Sequence, residues 1–260
     1  MSAHLNPETA PAPHSRQHRL ALAARITDRL RAMYGDHLTA VGIYGSVARG
    51  EDGPFSDLEM MAILDEGESH TFEWTTGAWK AEVNVLPLLE ALARASALDE
   101  EWALTQGQFV HVLPLLDAHA IFPELRQRVF DHDEAAINAL LRDIIVCDIM
   151  ELVGKWRNMR ALSRFEALPF VATLLVLRTA LLLGVAHRHP FSTGSRVFTE
   201  ALTLADQPEG FSALCQRVME GKLSDVAAVL SQCEALWAGI VRWAAQRNIV
   251  LVSDPLGLMR

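Results

Sequence analysis

The chain has 260 residues, half of them hydrophobic and 21% charged, which is enough apolar material for a sizeable globular core. Its net charge is −9 and Lys and Arg form no run, so a nucleic-acid partner is not expected, because such partners require a basic surface. The acidic surplus would suit a small polycationic ligand, although mild acidity alone is common. No stretch reaches the roughly 18 uninterrupted apolar residues of a membrane span, so no membrane partner is expected either.

The three cysteines are Cys147, Cys215 and Cys233, which are widely spaced and embedded in apolar helical patterns. This distribution predicts buried thiols rather than a disulfide framework or a zinc site. The first residues lack the charged and then apolar layout of a signal peptide. We therefore expect a reducing, cytoplasmic environment.

The first half of the chain reads as an arm, a helix and a small sheet. Residues 1–15 hold three prolines and little apolar periodicity, which predicts a flexible N-terminal arm. Apolar residues then recur at helical spacing over 16–34. Strands are predicted over 38–44, 57–64 and 80–87, separated by turn residues. These elements indicate a mixed sheet.

The character of the sequence changes near residue 130, where strand signals become rare and helical periodicity dominates. Helices are predicted over 134–159, 168–187, 195–205, 211–219 and 224–246. The expected fold is therefore α+β, with a mixed-sheet domain over 16–130 followed by a helical-bundle domain over 131–260.

A small-residue turn follows the first predicted strand. Gly45 permits close approach of the backbone, Ser46 supplies a hydroxyl and an N–H for phosphate oxygens, and Arg49 can add a charge-assisted contact. The pair Gly45-Ser46 alone is equally typical of an ordinary turn between a strand and a helix. It becomes more specific because D-L-E follows eleven residues after Ser46.

Asp57 and Glu59 are separated by one apolar residue, so on a strand they share a face. Two carboxylates in this arrangement can hold Mg²⁺, which prefers hard oxygen ligands and usually takes one or two carboxylates together with substrate phosphates. The alternative is an exposed acidic face on an edge strand. The buried-strand run M-M-A-I-L that follows favours the metal site.

Two further groups of polar residues are candidates. Glu82 alternates with apolar neighbours and could bring a third carboxylate to the same cleft, or it could be a solvated strand residue. Asp148, Glu151 and Lys155 stand at i, i+3 and i+7, which would place them on one helix face. A general base and a phosphate-binding lysine are compatible with this spacing, and so is an exposed salt-bridged stripe.

Some tempting residues have simpler interpretations. The cluster His187–His189 lies at a predicted helix end beside Pro190, where capping or surface exposure explains it better than metal binding. Trp74 and Trp79 bracket a turn and could stack on a base or sugar, or belong to the core.

Four blocks stand out in chain order: YGSVARGEDGPFSDLEMM at 44–61, EWTTGAWKAEVNV at 73–85, LTQGQF at 104–109 and GKWRNMR at 154–160. Together they closely resemble the kanamycin nucleotidyltransferase, or aminoglycoside 4′-O-nucleotidyltransferase, family. The similarity runs from about residue 17 to the C-terminal helices. It is far more specific than the G-S and D-x-E signature that the wider polymerase β-like superfamily shares.

The resemblance implies a nucleotidyltransferase domain followed by a helical domain, in a homodimer with active sites between the subunits. It implies that Asp57 and Glu59 bind Mg²⁺ and that Ser46, Arg49 and Lys155 contact the nucleoside triphosphate, which we expect to be ATP.

The resemblance also assigns Glu151 as the general base and Glu73, Glu82 and Asp148 as acids that bind the antibiotic. Where the family has two adjacent acids before the base, this chain has Cys147-Asp148, which leaves the substrate range open.

The implied reaction is the transfer of AMP to the 4′-hydroxyl of an aminoglycoside such as tobramycin, kanamycin or amikacin, with release of pyrophosphate. A tRNA or protein nucleotidyltransferase is a rival interpretation, but the negative net charge argues against an RNA substrate. An antitoxin-like binding module is another, but here the helical half is covalently attached to the first domain, which argues against that interpretation.

Overall fold

The computed structural model describes residues 8, 10–75 and 78–252. The chain divides into two compact units. The first, here called the sheet unit, comprises the chain up to Ala97 together with Thr105–Asp131. The second, the helical unit, comprises Leu98–Leu104 and the chain from His132 onwards. The assignment of Leu98–Leu104 to the helical unit was not anticipated from the sequence.

The sheet unit begins with a helix. Residues 1–7 and 9 of the predicted arm lie outside the described part of the chain, and the backbone N–H groups of Ala12 and His14 donate hydrogen bonds to Ala78 and Pro54. Helix α1 (Arg16–Tyr34) starts after Ser15, whose side chain accepts a hydrogen bond from the N–H of His18. Such a cap satisfies one of the free N–H groups at a helix start.

The remaining elements of the sheet unit follow in chain order. The strands are β1 (Leu38–Tyr44), β2 (Leu58–Leu64), β3 (His70–Thr75), β4 (Lys80–Pro87) and β5 (Leu113–Asp117). The helices up to Phe130 are α2 (Gly45–Arg49), α3 (Leu88–Ala95), α4 (Trp102–Thr105), α5 (Gly107–Val110) and α6 (Ile121–Phe130), and α4 lies almost wholly in the Leu98–Leu104 segment of the helical unit.

Among the described residues the strands form one sheet in the order β3-β4-β2-β1-β5. Only β2 and β4 run parallel, while the other neighbouring pairs are antiparallel. The predicted mixed sheet is confirmed, but β3 and β5 were missed. Strand β3 is almost entirely exposed and β5 contains Pro114, so neither carries the apolar alternation on which the prediction depended.

The two faces of the sheet have different roles. One face packs against α1 through a core that includes Leu30, Val41, Met60 and Val83. On the other face, α6 covers Gly42 so closely that a Cβ there would lie 2.9 Å from the Phe122 ring. Because side chains alternate along a strand, Glu59 and Glu82 lie on this second face.

The helical unit contains the remaining helices, with the bundle expected from the sequence. They are α7 (Glu134–Asp143), α8 (Met150–Leu162), α9 (Leu168–Ala186), α10 (Val197–Ala201), α11 (Phe211–Met219) and α12 (Val226–Gln246). A π-helical segment, Ile144–Ile149, joins α7 to α8. The continuous helix predicted over 134–159 therefore contains a widened turn.

Helix α9 is the core of this bundle. By length and composition it could cross a membrane, but 67% of its most apolar window is buried within the protein, as in the core helix of a globular domain. Cys215 and Cys233 are buried as predicted, and burial raises the pKa of their thiols to about 11 and about 12. The prediction for Cys147 was wrong, because it lies exposed on the π-helical segment.

Candidate active site

Three glutamates from adjacent strands lie directly opposite one another. Glu59 on β2 pairs in register with Glu82 on β4, and Glu82 pairs with Glu73 on β3. Residues in register on neighbouring strands project from the same face of a sheet. We call this set the carboxylate row. Asp57, two residues before Glu59, immediately precedes β2.

The surroundings of Glu59 in the carboxylate row disfavour its ionisation. Burial raises the pKa of its carboxyl group, the negative charges of Asp57 and Glu82 raise it further, and Arg49 and Lys80 oppose that effect. Like charges held close together and removed from water disfavour ionisation. The carboxylates are therefore close enough to repel one another, a situation that bound positive charge would relieve.

Gly45 explains how Glu59 fits beside the turn. Its φ of +71° suits glycine, and a Cβ at this position would lie only 1.9 Å from Glu59 Oε2. Any other residue would push the carboxylate away. Glycine is thus needed in the predicted phosphate turn for two reasons: the positive φ, and the space that the Glu59 carboxylate occupies.

Lys80 was not singled out from the sequence, yet it holds two members of the carboxylate row. Its Nζ lies 3.1 Å from Glu73 Oε1 and 3.2 Å from Glu82 Oε2. These hydrogen bonds raise the pKa of the Lys80 ammonium group. The spacing of Lys80, Glu82 and Asn84, at every second position of β4, is the signal that could have identified it.

A hydrogen-bonded network supports Glu82, the middle member of the row. Asn84 Nδ2 donates to the Tyr44 hydroxyl at 2.8 Å and to Glu82 Oε1 at 3.0 Å, while Thr71 Oγ1 donates to Asn84 Oδ1 at 2.7 Å. Burial, followed by the charges of Glu59 and Glu82, raises the pKa of Tyr44. The Tyr44 phenol therefore stays protonated, and Asn84 holds Glu82 in place.

The turn residues lie on the short helix α2 at the end of β1. Ser46 is half-buried, and Arg49 Nε donates to Glu51 Oε2 at 3.1 Å. Because the Arg49 charge also acts on Glu59, this helix and the carboxylate row belong to one electrostatic environment.

The donor set in the sheet unit fits Mg²⁺. No group of three or more His, Cys, Asp or Glu side chains with metal-binding geometry occurs within the described residues. Magnesium does not need one, since it usually binds one or two carboxylates together with water and substrate oxygens. Glu59, half-buried and destabilised as an anion, and the exposed Asp57 are suitable hard ligands.

The helical unit holds the predicted base. Glu151 on α8 is 65% exposed, and its Oε1 lies 2.7 Å from Lys155 Nζ, one helical turn away. This contact lowers the pKa of the Glu151 carboxyl group. The predicted pairing of these two residues on one helix face is therefore present, and Glu151 is ionised at neutral pH.

Asp148 has a different environment from Glu151. It lies in the π-helical segment, and its Oδ2 is 3.4 Å from Arg178 Nε, while Arg178 Nη1 donates to Glu101 at 2.7 Å. Burial raises the pKa of Asp148, Arg178 lowers it, and Glu100 and Glu101 raise it. The sequence did not reveal that Arg178 and the two glutamates surround Asp148, because they lie at least thirty residues away from it along the chain.

The two aromatic candidates do not join the carboxylate row. Trp74 follows Glu73 on β3 and so lies on the opposite face, where its ring stacks with Phe72 at 5.5 Å. Trp79 packs against the core beneath α1. In the helical unit, His189 Nε2 lies 3.3 Å from Glu200 Oε2, which agrees with a structural role for that histidine.

Comparisons with known proteins identify relatives of this chain. The KNTase C-terminal domain family matches residues 119–250. Two curated relatives named aminoglycoside nucleotidyltransferase (4′), from Staphylococcus aureus and a Bacillus species, are each 35% identical over 238 residues, covering 91% of this chain and 94% of the relative.

A solved structure of a nucleotidyltransferase-like protein from Exiguobacterium sibiricum 255-15 shares the fold. Its TM-score is 0.52 at 11% identity, and the match covers 88% of this chain and 75% of that one. The identity and coverage of the curated relatives are what define the family. The resemblance seen in the sequence is confirmed, and this chain is an enzyme of the aminoglycoside 4′-nucleotidyltransferase family.

Proposed function

We propose that this enzyme transfers AMP from ATP to the 4′-hydroxyl of an aminoglycoside such as tobramycin, kanamycin or amikacin, releases pyrophosphate and thereby confers resistance. The observation that carries the proposal is the carboxylate row, in which Glu59 is half-buried, repelled by neighbouring acids and placed beside a glycine turn. A bound cation would relieve this repulsion.

Asp57 and Glu59 would hold Mg²⁺, which when bound would neutralise the phosphates and make the α-phosphorus more electrophilic. The other members of the site would act on the substrates directly. Ser46 and Arg49 on α2, together with Lys155, would bind the triphosphate and stabilise the negative charge on the departing pyrophosphate.

Glu151 would act as the general base. The antibiotic hydroxyl oxygen forms a bond to the α-phosphorus, the bond from that phosphorus to the pyrophosphate oxygen breaks, and the hydroxyl proton moves to the Glu151 carboxylate. Lys155 lowers the pKa of Glu151 in the structure. If Lys155 turned to the triphosphate, the carboxylate would lose that contact and become a stronger base.

Glu73, Glu82 and Asp148 would attract the ammonium groups of the antibiotic. In the structure these acids already contact cations, Lys80 in the sheet unit and Arg178 in the helical unit. An aminoglycoside would therefore replace existing ion pairs, so its binding energy should depend on how well its amines match these positions.

The decisive test is to incubate the purified protein with ATP, Mg²⁺ and tobramycin and to measure pyrophosphate release. Mass spectrometry should show an antibiotic heavier by one AMP, and NMR should locate the phosphodiester at the 4′-oxygen. Transfer to tRNA or to protein, with the antibiotic unchanged, would overturn the proposal. An adduct at another hydroxyl would correct the position only.

We also propose a homodimer whose active sites lie at the subunit interface. The large apolar side chains of Met150, Leu162 and Phe170 are more than half exposed on the helical unit, and a subunit interface would bury them. Light scattering measures the mass in solution. Mixing the single variants Glu59→Gln and Glu151→Gln tests sharing of the site, because mixed dimers would contain one intact pair of these residues; no recovery of activity would contradict shared sites.

We further propose that the enzyme acts in the cytoplasm. ATP is available there, and the reducing conditions suit the free thiols of Cys147, Cys215 and Cys233. Cell fractionation followed by the adenylylation assay on each fraction tests the location; activity found only outside the cytoplasmic fraction would contradict it.

A further inference from the structure

The segment 50–57 connects two parts of the candidate site. It begins where α2, which carries Ser46 and Arg49, ends, and it finishes at Asp57. The segment has little regular structure, since it contains only turns at Gly50 and at Pro54 and Phe55. The position of Asp57 therefore depends on what holds this loop.

Arg19 of α1 makes four hydrogen bonds to the loop. Its Nε donates to the carbonyl oxygen of Ser56, and its Nη2 donates to those of Gly53 and Pro54, each at 2.8 Å. Its Nη1 donates to Asp52 Oδ2, also at 2.8 Å. The Ser56 carbonyl belongs to the peptide bond that leads directly into Asp57, so this contact fixes the chain at the residue before the proposed metal ligand.

The pair formed by Arg19 and Asp52 is almost completely buried, with side-chain exposures of 4% and 2%. Arg16 Nη1 also donates to Asp52 Oδ1 at 2.5 Å and to the carbonyl oxygen of Val47, within α2, at 2.6 Å. The Asp52 carboxylate is thus tied both to α1 and, through Arg16, to α2.

A buried ion pair of this kind contributes little net stability, because removing two charges from water offsets most of their attraction. The planar guanidinium group of Arg19, however, fixes the positions of the groups that it binds, because its N–H donors point in fixed directions. A lysine could neutralise Asp52 but could not make the same set of bonds. The arrangement is therefore better suited to fixing the loop than to stabilising the fold.

We propose that Arg19 and Asp52 are positioning residues that hold the loop 50–57 so that Asp57 and α2 bind the magnesium nucleotide together. This inference rests on the proposed function, in which Asp57 is a metal ligand. Neither residue touches the reacting atoms in it; they act through the backbone that carries Asp57.

The variant Arg19→Lys tests this role, and Arg31→Lys is its matched control. Arg31 lies on the same helix in an exposed ion pair with Asp28. Hydrogen exchange should become faster in 50–57 for Arg19→Lys, with α1 and β2 unchanged. Calorimetry with Mg²⁺ and a non-hydrolysable ATP analogue should show about tenfold weaker binding, as is usual when a residue supporting a metal ligand is lost. Arg31→Lys should match the wild type in both measurements.

The double variant Arg19→Met with Asp52→Asn covers the case in which Arg19→Lys does not fold. It removes both buried charges, a change that is often neutral for stability, but it also removes the bonds to the loop carbonyls. It should melt near the wild-type temperature and still bind the magnesium nucleotide weakly. Unchanged loop exchange and unchanged affinity in a folded variant would overturn this inference alone. A wild-type protein that binds no magnesium nucleotide would overturn the proposed function and this inference with it.

Discussion

Two glutamates with proposed roles in one reaction lie in opposite environments. Glu59 is half-buried on a central strand, where burial and then the neighbouring acids raise the pKa of its carboxyl group. Glu151 is exposed on a helix, and Lys155 lowers the pKa of its carboxyl group. The ionised form of a glutamate is therefore disfavoured at position 59 in the sheet unit and favoured at position 151 in the helical unit.

This difference suits the two proposed roles. A metal ligand benefits from a fixed position, and a bound cation would relieve the repulsion between Glu59 and the acids beside it. A general base must be ionised before the reaction and must be able to gain a proton during it. The sheet provides rigidity through neighbouring strands, whereas the helix surface lets Glu151 exchange its partner.

The largest effect is expected for Glu59→Gln. Turnover should fall roughly ten thousandfold, since a single essential group usually has an effect of this size. Pyrophosphate release measures it, and Glu66→Gln, which changes an exposed acid of the same unit, is the control. Near-normal turnover in Glu59→Gln would remove Glu59 from the site.

The same variant should be more stable than the wild type. The folded-state pKa of Glu59 is raised, so its ionisation opposes folding, and this penalty appears as the pH rises above the ordinary value of 4.5. The melting temperature of Glu59→Gln should therefore exceed that of the wild type at neutral pH, and the difference should vanish in acid. A less stable variant at neutral pH would contradict the strained environment.

Glu151→Gln should lower turnover by roughly a hundred- to a thousandfold while leaving nucleotide affinity nearly intact. Glu220→Gln is the matched control, because Glu220 is also exposed and also lies 2.7 Å from a lysine, Lys222. Steady-state kinetics and calorimetry measure the two effects. Equal rates for Glu151→Gln and its control would show that another group takes the proton.

The contrast between the two carboxyl groups can be measured directly by NMR titration of their side-chain carbons. Lys155→Met should raise the pKa of Glu151, since it removes the hydrogen bond that lowers it. Asp57→Asn should lower the pKa of Glu59, since it removes a repelling charge. Shifts in the same direction would show that the two environments do not differ as described.

The smallest effect is expected for Tyr44→Phe. The Tyr44 hydroxyl accepts a hydrogen bond from Asn84 at 2.8 Å, and its loss should destabilise the fold by about 1 kcal/mol. Turnover should change less than about tenfold, since about 1.4 kcal/mol corresponds to a factor of ten. Chemical denaturation and steady-state kinetics check both. A loss as large as that of Glu59→Gln would place the phenol in the reaction itself.

The sequence predicted the parts of the fold that follow from strong periodicity. The apolar run after Glu59 predicted the buried strand β2, and the helical spacing over 168–187 predicted α9 to within a residue. Strand β3 was missed because most of its residues are exposed, and the π-helical segment was missed because no glycine or proline marks it.

The candidate site was predicted as a set of acids but not as an arrangement. Spacing could show that Asp57 and Glu59 share a face, but not that Glu82 and Glu73 continue the line, since strand register depends on residues distant in sequence. Lys80 could have been found from its alternation with Glu82 and Asn84 along β4, whereas Arg178 could not, because its partners Asp148 and Glu101 lie far from it in the sequence. Arg19 looked like an ordinary helix residue, and only its burial against the loop revealed otherwise.

The assignment of Leu98–Leu104 to the helical unit affects how the protein could be divided into fragments. Trp102 in this segment is buried, the Phe191 N–H donates to the Ala103 carbonyl at 2.6 Å, and Glu101 pairs with Arg178. A gene fragment that begins at residue 132 would lack all three, so the C-terminal half expressed alone should be poorly folded. Supplying 98–104 through a short engineered linker at its N-terminus should restore these contacts and give a fragment better suited to crystallisation.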